Sequence, residues 1–380
     1  MSRPLPPGSR IGIIGGGQLG RLLALEARRL GYSTCVLDPD PRSPAAQVAD
    51  EHLAGPLTDP AAVLALAQRV DVLTYEFENV NAGAVAAAEA VRPVHPSSRV
   101  LRVAQHRLRE KEAVAGLGVA VPPFAAIRSA ADLRAGLART GLPAMLKTAT
   151  SGYDGKGQAV VRTPEEAEAA CADLLARCDT LILEAFVDFG LELSVVCARG
   201  ADGQVACYAP GENRHSGGIL DLTVAPARVS PQIAAQAQGI AAGIARGLDV
   251  VGLIAVEMFL TKDGRLLVNE IAPRPHNSGH HTLDACPTSQ FEQLLRALCG
   301  LPLGATDLYA PVAMANLLGD LWPAGGEPEF ASALAVPGVR LHLYGKAAAR
   351  PGRKMGHLCA LAESPAAAAE RVLEARRRLL

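Results

Sequence analysis

Residues 269–282 read N-E-I-A-P-R-P-H-N-S-G-H-H-T, which puts an acid, an arginine, histidines and small hydrogen-bonding residues on one stretch. Packing alone does not ask for that mixture. A strand-like segment at 265–268, an Asp263-Gly264 turn signal and a longer apolar strand at 250–260 precede it, so the region reads as a hairpin leading into an irregular polar loop. If Asp263 and Gly264 are the two residues of a tight turn, Lys262 faces Arg265, and stepping outward sets Glu257 opposite Glu270 on one face. Opposed side chains have Cβ atoms roughly 4.5–5.5 Å apart, and two carboxylates at about 5 Å repel by about 3 kcal/mol at an effective dielectric near 20. Such a pair is unfavourable unless a cation lies between its members. Mg²⁺ uses one or two carboxylates together with substrate phosphates, so the hairpin and its loop predict a metal pair, Glu257 and Glu270. A solvated hairpin face, or a register shifted by a longer turn, is the alternative.

The bulk properties narrow the classes. Lys plus Arg number 37 against 38 Asp plus Glu, for a net charge of -1, so the basic footprint of a nucleic-acid binder is missing and any anion site is local. A chain of 380 residues accommodates two or three domains. Eight cysteines without a Cys-x-x-Cys pair read as buried free thiols in a reducing cytosol. No run approaches ~18 uninterrupted apolar residues. The expectation is a cytoplasmic protein with neither membrane nor nucleic-acid partners.

From residue 10 to about 96, strands at 11–14, 34–37 and 70–75 alternate with helices at 19–30, 61–68 and 82–91, a pattern that predicts a parallel sheet covered by helices. A helical region at 99–115 and a linker at 116–123 follow. Strands at 143–148 and 158–162 then flank a glycine-rich loop, and a helix at 164–177 and a strand at 180–185 complete a small α+β unit. Further strands at 191–197 and 205–208, a helix at 231–246, the hairpin and a helix at 289–299 come next. Strands at 339–344 and 354–362 precede a last helix.

Four motifs carry candidate chemistry. Gly15 to Gly20, G-G-G-Q-L-G, satisfies G-x-G-x-x-G between a strand and a helix, with Asp38 closing the next strand. This pattern suits a dinucleotide, another phosphorylated ligand at a helix N-terminus, or a purely structural turn. The loop S-G-Y-D-G-K-G-Q at 151–158, preceded by Lys147, leads into a strand. It is therefore no Walker A loop, but suits a flap over nucleotide phosphates. Glu184-Ala185-Phe186-Val187, with Glu192, links the small unit back to the larger one, where hinge backbone could read a base edge and Glu192 a ribose. Finally, Lys346 and the turn R-P-G-R-K at 350–354 form either a solvated surface or an anion contact.

Together these residues carry a resemblance. G-G-G-Q-L-G-R at 15–21, Y-E-F-E-N-V at 75–80, the 151–158 loop, G-E-N-R-H at 211–215, N-E-I-A-P-R-P-H-N-S-G-H at 269–280, T-S-Q-F-E-Q at 288–293 and R-P-G-R-K-M-G-H at 350–357 resemble, in this order, the N5-carboxyaminoimidazole ribonucleotide synthetase family of ATP-grasp enzymes. His281 departs from the aromatic residue common in that family. The resemblance implies an α/β and α+β ATP-grasp fold. Its parts would be a Rossmann-like preATP-grasp domain at 1–98, an ATP-grasp domain at 99–300 with a mobile lid at about 118–186, and a small β-rich domain at 301–380. It implies a homodimeric ligase that uses ATP, Mg²⁺ and bicarbonate to carboxylate 5-aminoimidazole ribonucleotide through carboxyphosphate, in purine biosynthesis.

The same resemblance implies roles. Arg107, Lys147 and His215 would contact ATP phosphates beneath the loop Gly152, Tyr153, Asp154, Gly155, Lys156, Gly157 and Gln158. Glu184, Ala185, Phe186 and Val187 would take adenine through backbone, and Glu192 ribose. Glu257 and Glu270, helped by Asn269, would hold Mg²⁺. Arg274, His276, Asn277 and Ser278 would orient bicarbonate. Tyr153 and Asp154 would meet the aminoimidazole, with Asp154 accepting a proton, and Glu76 would place the ring or the bicarbonate. Lys346, Arg353 and the amides of Gly17, Gln18 and Leu19 would bind the ribonucleotide phosphate. The rivals are another ATP-grasp ligase, such as biotin carboxylase or a glycinamide ribonucleotide enzyme, and an NAD-dependent oxidoreductase.

Overall fold

The N-terminal run of alternating elements folds into a four-stranded parallel sheet of β1 (Arg10–Ile14), β2 (Ser33–Leu37), β3 (Glu51–Leu53) and β4 (Val72–Tyr75), in the order β3-β2-β1-β4. The structure is a computed structural model that describes residues 3–150, 157–323 and 325–380. Helices Gln18–Arg29, Pro60–Ala67 and Ala82–Glu89 cover the sheet, and strands buried on both faces read as apolar runs. Short, charged β3 was missed because an edge strand of three residues has no periodicity to read.

A second, antiparallel sheet orders β5 (Phe124–Ile127), β6 (Ala144–Thr148), β7 (Gln158–Val161) and β8 (Leu181–Ala185) as β5-β8-β6-β7. Helices Ala130–Thr140 and Pro164–Leu175 pack on it. The second is capped by Thr163, whose Oγ1 accepts from the Glu166 amide at 3.2 Å, while the Glu166 carboxylate accepts from the amide of Arg162, the residue before the cap, at 2.7 Å. The first was not predicted. Its Gly136 permits close packing, since a Cβ there would lie 2.9 Å from Ile127.

The third sheet has nine strands: β9 (Phe189–Arg199), β10 (Val205–Cys207), β11 (Gly211–Ser216), β12 (Ile219–Ala225), β13 (Gly252–Thr261), β14 (Leu266–Ala272), β15 (Val312–Leu318), β16 (Val339–Leu343) and β17 (Lys354–Leu361). Their path runs β14-β13-β9-β11-β12-β15-β17-β16, with β10 beside β9. The C-terminal strands therefore extend the sheet that carries the hairpin. Helix Gln290–Leu298 packs between this sheet and helix Gln18–Arg29, where Phe291, Leu294, Leu23 and Ala27 are buried in one cluster.

The hairpin differs from the tight turn expected. Thr261 N–H donates to Arg265 at 2.9 Å, leaving Lys262, Asp263 and Gly264 as a three-residue loop with Gly264 at φ +84. This slides the register by one, pairing Met258 with Val268. A β-bulge then takes up Asn269 and restores the frame, so Glu257 does face Glu270. Two offsetting irregularities produce the pair that a simple count predicted. The stretch after it is also more regular than expected: 269–272 lie in β14, Asn277–Gly279 make one 3-10 turn and Thr282–Ala285 a short helix.

Candidate active site

A cavity of ≈ 750 Å³ opens where the three units meet. Gln18, Leu19 and Glu78 come from the N-terminal unit, Met145, Lys147 and Gln158 from the second sheet, and Glu192, His215, Glu257, Asn269 and Glu270 from the third. Arg107, Arg274, His276 and Asn277 also line it. The loop carrying Gly152, Tyr153, Asp154, Gly155 and Lys156 lies outside the described residues, so their roles rest on sequence alone. Gly157, at its far end, has φ +70 and passes Thr148 so closely that a Cβ would meet its Oγ1 at 2.9 Å.

Each of the paired acids has a cationic or histidine partner. Arg107 Nη1 lies 3.2 Å from Glu270, and His276 Nε2 lies 3.1 Å from Glu257. Burial would raise the Glu257 carboxyl, but His276, His215 and Arg274 outweigh it and hold it well below the ordinary carboxylate range. Next to them, His215 Nδ1 meets Glu192 Oε2 at 2.6 Å. Burial would lower the His215 imidazole; Glu192, then Glu257 and Glu270, raise it instead above the usual histidine value. Among the described residues no group of three or more His, Cys, Asp or Glu is arranged to hold a metal, so the two carboxylates would need phosphate oxygens or water to complete an octahedral shell.

The loop after β14 is held rigidly. Arg274 forms a bidentate fork with Glu78, both contacts at 2.7 Å, and against the burial that would raise it, Arg274 keeps Glu78 below its ordinary value. His276 Nδ1 lies 2.8 Å from Ser278 Oγ, which accepts in turn from Ser194 Oγ at 2.7 Å. The Ser278 amide also points at Nδ1, at 3.4 Å. This makes Nδ1 the acceptor and leaves the Nε2 proton for Glu257. Asn277 is different: both polar atoms of its side chain are buried and lack a hydrogen-bond partner among the described residues, and the residue lines the cavity. Unsatisfied buried amides are rare and point to a ligand or an unseen polar neighbour.

The glycine loop is committed in a way the motif did not reveal. Gly16 N–H donates to Asp38 at 2.8 Å, Gly20 N–H donates to Glu76 at 2.8 Å, and Gly17 N–H also donates to Glu76. Two carboxylates thus occupy the amides that a dinucleotide pyrophosphate would use, which opposes the NAD reading. The expected ligand contact of the Gly17 amide is corrected in the same way, and Gln18 and Leu19 are the loop residues that line the cavity. Glu76, expected at the substrate, is buried under the loop, and its burial raises the carboxyl despite the two amides. Its neighbour Glu78 faces the cavity.

In the basic cluster, Arg353 braces its own turn by donating to Ala348 O at 2.7 Å, and Lys346 sits 5.7 Å from the Tyr344 ring centre with its charge felt at Glu76. Lys354 is the member that lines the cavity. The Glu184 carboxylate is not at the cavity surface either. It is 3% exposed and paired with Lys111 at 3.0 Å and Lys147 at 2.5 Å. Burial would raise it, but the two lysines hold it at about 2. The amides of Ala185 and Phe186 bond to Pro123 and Pro143 carbonyls, so a base edge would have to be read by carbonyls of that run or by the Val187 amide.

Several residues here escaped the sequence reading. Lys111, 2% exposed, joins Glu184 to the carbonyls of Val268 (3.2 Å) and Asn269 (2.6 Å), tying the second sheet to the strand of Glu270. Glu110 accepts from the Ile271 amide; burial and the nearby Glu270 charge raise it to about 8. Phe189 stacks on Phe259 at 4.7 Å and with Met145 forms an apolar wall. The charge density of R-L-R-E-K-E at 107–112 was the available signal for the first two.

The three units have counterparts among known proteins. Residues 9–105 match a ribonucleotide synthetase preATP-grasp domain, 112–291 an ATP-grasp domain, and 312–371 a phosphoribosylaminoimidazole carboxylase C-terminal domain. The chain is 45% identical to an N5-carboxyaminoimidazole ribonucleotide synthase of Bacillus subtilis, over 93% of this chain and 91% of that one. It belongs to the N5-carboxyaminoimidazole ribonucleotide synthase family. Solved structures of the family superpose closely. The Thermus thermophilus synthetase is 47% identical, with a TM-score of 0.89 over 97% of this chain and 98% of that one. The Aspergillus clavatus synthase, in complex with ADP and 5-aminoimidazole ribonucleotide, is 33% identical, with a TM-score of 0.89 over 98% and 99%. The fold is that of an ATP-grasp synthase with an N-terminal preATP-grasp domain and a C-terminal domain.

Proposed function

We infer that this chain is an ATP-dependent ligase that carboxylates the exocyclic amine of 5-aminoimidazole ribonucleotide with bicarbonate, releasing ADP and phosphate. The observation that carries the reading is the facing pair Glu257 and Glu270 at the cavity, with the unpartnered Asn277 amide close behind it in sequence.

Bicarbonate is a poor electrophile. Attack of its oxygen on the γ-phosphorus of ATP gives ADP and carboxyphosphate; the amine then takes the carboxyl group as phosphate leaves, and loses a proton. Such transfer depends on positioning and charge stabilisation. Glu257 and Glu270 fit Mg²⁺ by donor type, and the ion would neutralise phosphate charge there. Arg107, Lys147 and His215 are the proposed cationic contacts of the ATP phosphates, and Glu192, held by His215, is the proposed acceptor for ribose hydroxyls. The apolar wall of Met145, Phe189 and Phe259 suits the adenine face. Arg274, fixed by Glu78, and Asn277 are the proposed donors to bicarbonate, and hydrogen-bond donors aimed at developing charge lower barriers substantially. Asp154 is the proposed proton acceptor, with Tyr153 beside the imidazole. Gln18, Leu19, Lys346 and Lys354 are the proposed ribonucleotide phosphate contacts.

A reducing cytosol suits the eight free cysteines, and no helix among the described residues is long and apolar enough to cross a membrane. A homodimer remains the expectation of the resemblance. The test is ADP release with ATP and bicarbonate. 5-Aminoimidazole ribonucleotide should stimulate it, while biotin, or glycinamide ribonucleotide with formate, should not; stimulation by a rival alone would reject the assignment.

A further inference from the structure

Gln290 is fully buried, at 0% exposure, at the start of helix Gln290–Leu298. A buried carboxamide is costly unless its polar atoms are paired, and this one spends its capacity on the candidate bicarbonate loop. Its Oε1 accepts the His276 N–H at 2.8 Å, and its Nε2 donates to the His276 carbonyl at 2.8 Å and lies 3.0 Å from His280 Nδ1. His276 is extended, at φ -119 and ψ 147, so its own N–H and C=O lie on one side, as in a strand pair. The carboxamide closes on both of them like a neighbouring strand of one residue.

Two further contacts tighten this clamp. The Gln290 amide donates to Thr282 Oγ1 at 2.9 Å, and that hydroxyl donates to Gly279 O at 2.6 Å. A Cβ on Gly279 would fall 2.7 Å from Gln290 Oε1 and 2.9 Å from Val196 Cγ2, so a larger residue there would have to push the clamp aside. The clamped residue is the one whose imidazole meets Glu257 and Ser278.

We propose that Gln290 is a positioning residue for carboxylation, holding the His276 backbone so that its imidazole orients Glu257 and the Asn277 amide faces bicarbonate. This rests on the reading of the site as a carboxylating one. The hydrogen bonds, not the volume, carry the role, since methionine fills a similar space.

The test compares wild type with Gln290→Met and Gln290→Asn, the latter too short to span both backbone groups. Circular dichroism checks folding, and kcat and KM are measured separately for ATP, bicarbonate and 5-aminoimidazole ribonucleotide. Groups that orient a ligating or catalytic side chain typically cost about 10–100-fold when removed. Both variants should keep the wild-type spectrum and lose kcat/KM for bicarbonate about 10–100-fold, with a smaller rise in the KM for ATP, felt through Glu257. Full activity in Gln290→Met, an equal rise of every KM, or failure of both variants to fold would overturn the proposal. Wild type reports separately on the reaction: without ribonucleotide-dependent ADP release, the functional reading fails whatever the variants do.

Discussion

Replacing Glu184 by Gln removes the one carboxylate shared by two buried lysines. The difference between an ordinary glutamate at 4.5 and about 2 here corresponds to about 3 kcal/mol, at ~1.36 kcal/mol for each tenfold step. Breaking a buried pair by removing one partner typically costs about 3–5 kcal/mol, so the two routes agree. The net worth of the arrangement is smaller, because burial lowers the Lys111 ammonium and so works against it. Glu184→Gln should therefore destabilise by about 3 kcal/mol, while Glu184→Met combined with Lys111→Met and Lys147→Met, which leaves no charge of the trio behind, should recover much of the loss. Urea titrations of all three forms, followed by circular dichroism, measure this. Because the folded carboxyl is depressed, its contribution is present above 4.5 and lost as pH falls from there toward about 2, so the gap between wild type and Glu184→Gln should close over that window. A gap below ~1 kcal/mol at neutral pH would refute the account of the pair.

Glu270→Gln should cut turnover at least ~100-fold with little change in melting temperature, since its side chain is 38% exposed and faces the cavity; unchanged Mg²⁺-dependent turnover would remove the carboxylate pair from the mechanism. Arg274→Lys cannot reproduce the fork on Glu78, and kcat/KM for bicarbonate should fall about 100-fold, as read from steady-state rates at varied bicarbonate. Glu192→Gln should lower the His215 pKa, read by NMR titration of the imidazole. The raised value contributes stability that is complete below about 6.5 and lost as pH rises through the folded value, so that loss should shrink in the variant.

The facing of Glu257 and Glu270 was legible because a strand has period 2 and both irregularities of the hairpin occur within a few residues, one cancelling the other. Alternation of apolar runs exposed the parallel sheet for the same periodic reason. Strand β11, G-E-N-R-H-S, stayed hidden as a strand: its polar side chains are spent on the cavity and on Arg228, so it lacks an apolar face. The two acids of Y-E-F-E differ only in which way each points. Glu76 turns under the glycine loop and Glu78 toward Arg274, a choice made by tertiary contacts. Lys111 and Gln290 were missed because each acts across the fold, 73 residues from Glu184 for Lys111, and through backbone of the 276 loop for Gln290. The charge density at 107–112 marks Lys111 as unusual, but no local pattern names the distant partners.

The proposed route phosphorylates bicarbonate and then joins its carbon to the amine. Bicarbonate labelled with both ¹³C and ¹⁸O, supplied with ATP and 5-aminoimidazole ribonucleotide, tests it by NMR of the product and of the phosphate. That route puts one ¹³C on the exocyclic nitrogen and one ¹⁸O in phosphate for each ADP formed. Phosphate free of ¹⁸O, or ¹³C attached to a ring carbon in the first product, would contradict it.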